Sequence, residues 1–122
     1  MKDVPADVLN YIMSVLRGLY FGEVVLVAQN GVLIQVERTE KMRVHPWQGI
    51  PQPAAWSEDT ERNLRRTIER ELASLYYGRL SIIVKQGTVT HFDRLEKQRF
   101  MDGDGIRQVR MTGQMSTEYR LN

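Results

Sequence analysis

The sequence predicts an α+β domain of two pseudo-symmetric units. Each unit is an amphipathic helix followed by a β-hairpin, the two share one antiparallel sheet, and a further hairpin closes the C-terminal end. Three observations carry this reading. The chain matches itself when shifted by 56 residues, each copy holds an apolar stripe at helical spacing, and each stripe precedes two β-branched runs around a turn dipeptide.

The shift places Leu19-Tyr20-Phe21-Gly22 on Leu75-Tyr76-Tyr77-Gly78 and Arg38-Thr39-Glu40-Lys41-Met42-Arg43 on Arg94-Leu95-Glu96-Lys97-Gln98-Arg99. Ten of the 37 positions from 8 to 44 are identical to their counterparts, without a gap. Unrelated sequences of ordinary composition would share about two, so the chain is a tandem duplication. Its organisation is a single domain over 1–122: repeat one at 5–44, a Pro/Trp linker at 45–56, repeat two at 57–100 and a terminal hairpin at 101–122.

Val8, Ile12, Leu16 and Leu19 form one helical stripe, and Leu64, Ile68, Leu72 and Leu75 repeat it. Helices are expected over 5–21 and 58–77. Pro5 suits a first turn, and Ser57-Glu58-Asp59 offers a cap with acids for the positive helix end. Gly22 and Gly78 are read as the left-handed residues that stop each helix.

Glu23-Val24-Val25-Leu26-Val27-Ala28 and Arg79-Leu80-Ser81-Ile82-Ile83-Val84 read as strands, with return strands over 32–38 and 88–94. Asn30-Gly31 suits a two-residue type I′ turn, where both central residues need positive φ, and Gln86-Gly87 is a weaker version. A plain two-residue turn would oppose Gln29 to Val32, Val27 to Ile34 and Val25 to Val36. One face of the first hairpin would then carry Val25, Val27, Val32, Ile34 and Val36, and the other Val24, Leu26, Ala28 and Leu33. Two apolar faces imply a sandwiched hairpin. The second hairpin has one apolar face of Leu80, Ile82, Val84 and Val89 and a mixed face that includes Ser81, Thr90 and Phe92.

The linker holds three of the four prolines and both tryptophans, Trp47 and Trp56. It reads as an extended connector whose tryptophans anchor it on the core, or else form an aromatic site. Beyond repeat two, Asp102-Gly103-Asp104-Gly105 is a turn, followed by strands over 106–112 and 115–121. The aspartates lack the third acid and terminal glutamate of a calcium loop.

Composition excludes several chemistries. Cysteine is absent, which removes disulfides and thiolate ligands, and His45 and His91 lack the spacing of a helical metal pair. No Ser-His-Asp set or phosphate loop is visible, so no catalytic site, cofactor or metal is expected. No apolar stretch is long enough to span a bilayer, and the N-terminal residues do not form a signal peptide, so a soluble cytoplasmic protein without membrane contacts is expected. A formal charge of +2, from 17 basic and 15 acidic residues, permits an anionic partner without requiring one.

The helix stripe, the Tyr-aromatic-Gly segment and the Glu/Asp-Arg-x-Glu-Lys-x-Arg ending together resemble the YezD-like family of small bacterial proteins, a domain of unknown function usually present once. The resemblance covers 8–44 and 64–100 and implies a bacterial cytosolic origin, with no reaction attached. Single-copy relatives would self-associate, and a tandem copy would be the covalent version of such a dimer.

Two functional readings follow. The first is a non-catalytic assembly or adaptor module that binds itself or another protein through Val25, Val27, Val32, Ile34, Val36, Trp47 and Trp56. The alternative is a nucleic-acid-binding regulator that uses the repeated cations Arg38, Lys41, Arg43, Arg94, Lys97 and Arg99. Interleaved glutamates weaken the second, since a mixed-sign strand end also serves to repel unwanted strand pairing.

Overall fold

Ser57 caps its helix as its residue type demands: the Thr60 N–H donates to Ser57 Oγ at 3.1 Å. The structure is a computed structural model that describes residues 4–47, 49–50, 55–98, 100–102 and 105–106. Its elements are α1 (Ala6–Arg17), β1 (Phe21–Gln29), β2 (Val32–Glu40), α2 (Glu58–Ala73), β3 (Gly78–Lys85), β4 (Thr88–Glu96) and a short pair, β5 (Met101–Asp102) and β6 (Gly105–Ile106). Helix, hairpin, helix, hairpin is the predicted α+β order. The tail strands expected over 106–112 and 115–121 lie, apart from the start of the first, outside the described residues.

Both helices end one turn earlier than the stripes suggest. Gly18 and Ser74 are the C-caps, and Leu19 and Leu75 donate their N–H groups to Leu16 and Leu72 at 3.1 Å, a tight final turn that redirects the chain into the strand. Leu19 and Leu75 stay fully buried because that turn points them at the same core.

Gly22 and Gly78 therefore do not stop helices. They sit in strands, and a Cβ on either would lie 2.0 Å from a carbonyl oxygen of the neighbouring strand, Thr39 for Gly22 and Leu95 for Gly78. The repeated glycine marks a close backbone approach, one of the recognised uses of glycine within a strand.

The four long strands form one antiparallel sheet in the order β2-β1-β3-β4. Asn30 and Gly31, with φ of 54° and 76°, make the first turn, and Gln86 and Gly87, at 52° and 74°, make the second. Each turn glycine also donates to the other copy: Gly31 N–H to Tyr76 O and Gly87 N–H to Tyr20 O, both at 2.9 Å.

The register departs from the plain hairpin at one residue in each copy. Gln29 faces Val32 and Ala28 faces Leu33 as expected, but Ile34 is bulged, so Val27 faces Gln35, Leu26 faces Val36 and Val25 faces Glu37. Thr90 is skipped likewise, which places Phe92 opposite Ile82. Because side chains alternate with period two, one extra residue moves everything beyond it to the other face. Val36 and Phe92 thus turn toward the helices and pack on the core, and Gln35 and Glu37 take the places expected for Ile34 and Val36.

The core is the layer between helices and sheet. Leu9, Ile12, Met13 and Leu16 of α1 and Leu64, Ile68 and Leu72 of α2 meet Val24, Leu26, Ala28, Leu80, Ile82 and Val84 of the central strands. Each fully buried large side chain contributes about 1.5–3 kcal/mol. The helices also touch through the Arg17–Glu61 ion pair and an Arg65 Nη2 to Asn10 Oδ1 bond of 2.6 Å, so the C-terminal end of α1 lies by the start of α2. Among the described residues the helices cover one face of the sheet, and the expected second apolar face of the first hairpin is corrected by the register, which sets Gln35 and Glu37 opposite Val27 and Val25.

Candidate functional site

Among the described residues, two of the repeated cations, Arg38 and Arg94, are engaged by side-chain bonds within the chain itself. A helix leaves its last carbonyls without internal partners and carries partial negative charge there. Arg94 reaches back from β4 to the end of α2: Nη1 donates to Glu71 O and Glu71 Oε1, both at 2.9 Å, and Nη2 to Ser74 O at 3.1 Å. Glu96 Oε1 steadies the guanidinium at 3.3 Å. Arg38 repeats the arrangement, donating to Gly18 O at 3.4 Å and to Glu40 Oε1 at 3.1 Å. The counterpart of Glu71 in the first copy is Val15, so the Arg38 site has one partner fewer; its side chain is 45% exposed, against 25% for Arg94. The Arg-x-Glu identity between the copies was the available signal, but its target lies 20 residues upstream and is a backbone group.

Lys41, Arg43 and Lys97 are exposed, and Arg99 lies outside the described residues. The backbone of Lys41 extends the ladder, donating to Phe21 O at 2.9 Å, and Lys97 does the same to Tyr77 O at 2.7 Å. Past Lys41 the chain turns into the linker, and a groove of about 410 Å³ opens there, lined by Tyr20, Phe21, Lys41, Met42, Arg43 and Trp47 among others. The two tryptophans part company. Trp56 is half-buried, with its Nε1 donating to Gly87 O at 2.9 Å, whereas Trp47 is 57% exposed at the groove.

The sheet face away from the helices holds the interface candidates Val25, Val27 and Val32, whereas Val36 faces the helices. Val25 and Val27 of β1 and Ile83 of β3 form a half-buried apolar centre, flanked by exposed Val32 and Leu95 on the two edge strands, β2 and β4. Ile34, at the bulge, is 50% exposed and borders a cleft with Tyr11 of α1. The charges on this face differ between the repeats. The first copy contributes Glu23 and Glu37, and the second contributes Arg79, Lys85 and Asp93. Glu23 and Arg79 are equivalent positions with opposite charge.

Among the described residues no three His, Asp or Glu side chains gather as a metal site, and no helix is long and apolar enough to cross a membrane.

The family model described as an uncharacterized small protein (DUF2292) matches the chain twice, over residues 8–44 and 64–100, the same two spans that carry the sequence resemblance. No curated protein and no solved structure matches.

Proposed function

The chain belongs to the DUF2292 family of uncharacterized small proteins and carries the family unit twice, and from that premise we propose that it is a non-catalytic assembly module whose open sheet face binds a second copy of itself. The observation that carries the reading is the charge reversal between Glu23 and Arg79 around an apolar centre. These residues lie at opposite corners of the central strand pair. A two-fold axis in the plane of the face, perpendicular to the line joining Glu23 and Arg79, brings each Glu23 to the Arg79 of the second copy, with Val25, Val27 and Ile83 enclosed between them. Face-to-face sheets of this kind pack about 10 Å apart, as in a sandwich.

Size supports the same reading. Four strands of 8 or 9 residues present a face of roughly 19 by 26 Å, about 500 Å² in projection, from ordinary strand spacing and rise. Two such faces reach about 1,000 Å² before corrugation is counted, the lower bound for a specific interface. A nucleic-acid reading through the six repeated cations is less well supported, because Arg38 and Arg94 already serve the helix ends. We place the module in the cytoplasm, in keeping with its cysteine-free sequence.

Sedimentation equilibrium tests the proposal. The wild type is expected to dimerise, Glu23→Arg and Arg79→Glu each to dissociate, and an equimolar mixture of the two variants to recover a dimer. Each chain of that mixed pair supplies what the other lacks. A wild type monomeric at 100 μM, a concentration chosen to reach weak interfaces of about micromolar affinity, would overturn it.

A further inference from the structure

We infer that the groove at the end of β2 is a binding site for a nucleotide unit, with Lys41 and Arg43 holding the phosphate and Phe21 and Trp47 holding the ring. The inference rests on its own observations, although Phe21 and Lys85 lie on the open face, at the end away from Arg79.

Tyr20 and Phe21 meet edge to face, with ring centroids 5.4 Å apart at 86°, which fixes one aromatic wall. Trp47 supplies another aromatic side chain from the linker, exposed where its sister Trp56 is anchored. The cations follow directly from β2, and neither Lys41 nor Arg43 forms an ion pair among the described residues. Glu40, next in sequence to Lys41, is occupied by Arg38. Among the described residues no aspartate or glutamate lines the groove, although carboxylates are interleaved with cations elsewhere in the chain. Lys85, paired with Phe21 across the central strands, adds a third positive charge nearby. The volume of about 410 Å³ suits a small ligand, whose sites span roughly 300–1,000 Å³.

A phosphate alone would leave the aromatic walls unused, and an apolar ring alone would leave two cations unneutralised. A planar ring bearing a phosphate satisfies both, by the stacking and charge combination that single-stranded nucleic-acid sites employ. The matching corner of the second copy has Lys97 and Tyr77, and the pocket beside them is only about 80 Å³ among the described residues.

The test is an NMR titration of the full chain with AMP, UMP and a mixed-sequence ten-nucleotide single strand, with inorganic phosphate as the control. Amide shifts should centre on Phe21, Lys41, Met42, Arg43 and the Trp47 indole. The Lys41→Ala/Arg43→Ala double variant should bind at least tenfold more weakly, as should Trp47→Ala, in line with the roughly 1–3 kcal/mol of one stacked base. For the ten-mer, log K against log salt should slope by about −1.4, two neutralised phosphates at about −0.7 each, and flatten in the double variant. A ten-mer bound tenfold tighter than AMP or UMP identifies a strand as the source, and equal affinities identify the free nucleotide. Absence of these shifts at millimolar probe, unchanged binding by the double variant, or inorganic phosphate binding as tightly as AMP would overturn the inference.

Discussion

Val25 and Ser81, the same position in the two copies, face each other directly across the central strand pair. A residue paired with its own equivalent lies on the symmetry axis, so the pseudo-two-fold passes between them. The other pairs obey it: Gly22 faces Val84 while Ala28 faces Gly78, and the two inter-copy turn bonds are images of each other. The molecule is a dimer of helix-hairpin units written in one chain, and its open face is centred on that axis.

The axis residues are on the open face and not in the core. Val25→Asp is therefore expected to abolish self-association with a stability loss below about 1 kcal/mol, the scale of solvent-side substitutions. Combined sedimentation and urea unfolding would check it. A variant that remained dimeric would remove the open face as the interface.

Register provides a second expectation. Val36 packs on the core whereas Ile34 sits at the bulge, so Val36→Asp should cost about 2–3 kcal/mol, by burying a charge without a partner, and Ile34→Asp under about 1 kcal/mol. Equal losses in chemical denaturation would mean that the hairpin pairs without its bulge.

Glycine substitutions should divide by surroundings. Gly78→Ala meets the Leu95 carbonyl at 2.0 Å and should cost about 2–4 kcal/mol, through forced separation of β3 from β4. Gly18→Ala has φ of −84° and nothing nearer than 3.6 Å, so it should be neutral or stabilise by up to about 1 kcal/mol through the unfolded chain. Thermal melts of the two variants side by side decide this.

Arginine removal gives a fourth. Arg94→Ala strands the last carbonyls of α2 and the Glu71 carboxylate, and should cost about 1–2 kcal/mol. Arg38→Ala, with fewer and longer bonds, should cost less than about 1 kcal/mol. Neither should change nucleotide binding in the titration above, and a loss of binding with stability intact would return these arginines to a ligand role.

Much of this architecture was legible from local pattern. The 56-residue repeat, the stripes through Ile12 and Ile68, the Ser57 cap and the turns at Asn30-Gly31 and Gln86-Gly87 all rest on contacts within a few residues, which composition and spacing report directly. Other features depend on groups far apart in the chain. Gly22 and Gly78 looked like helix stops because their real constraint is a carbonyl on another strand. The bulges at Ile34 and Thr90 carry no turn dipeptide, so the face of Val36 and Phe92 emerged only with the strands paired. Arg38 and Arg94 looked free because their partners are backbone oxygens of a helix end, and the groove beside Lys41 exists only where the linker folds back with Trp47. A helix or a turn is set by neighbours along the chain, whereas a face, a clash or a groove is set by neighbours in space.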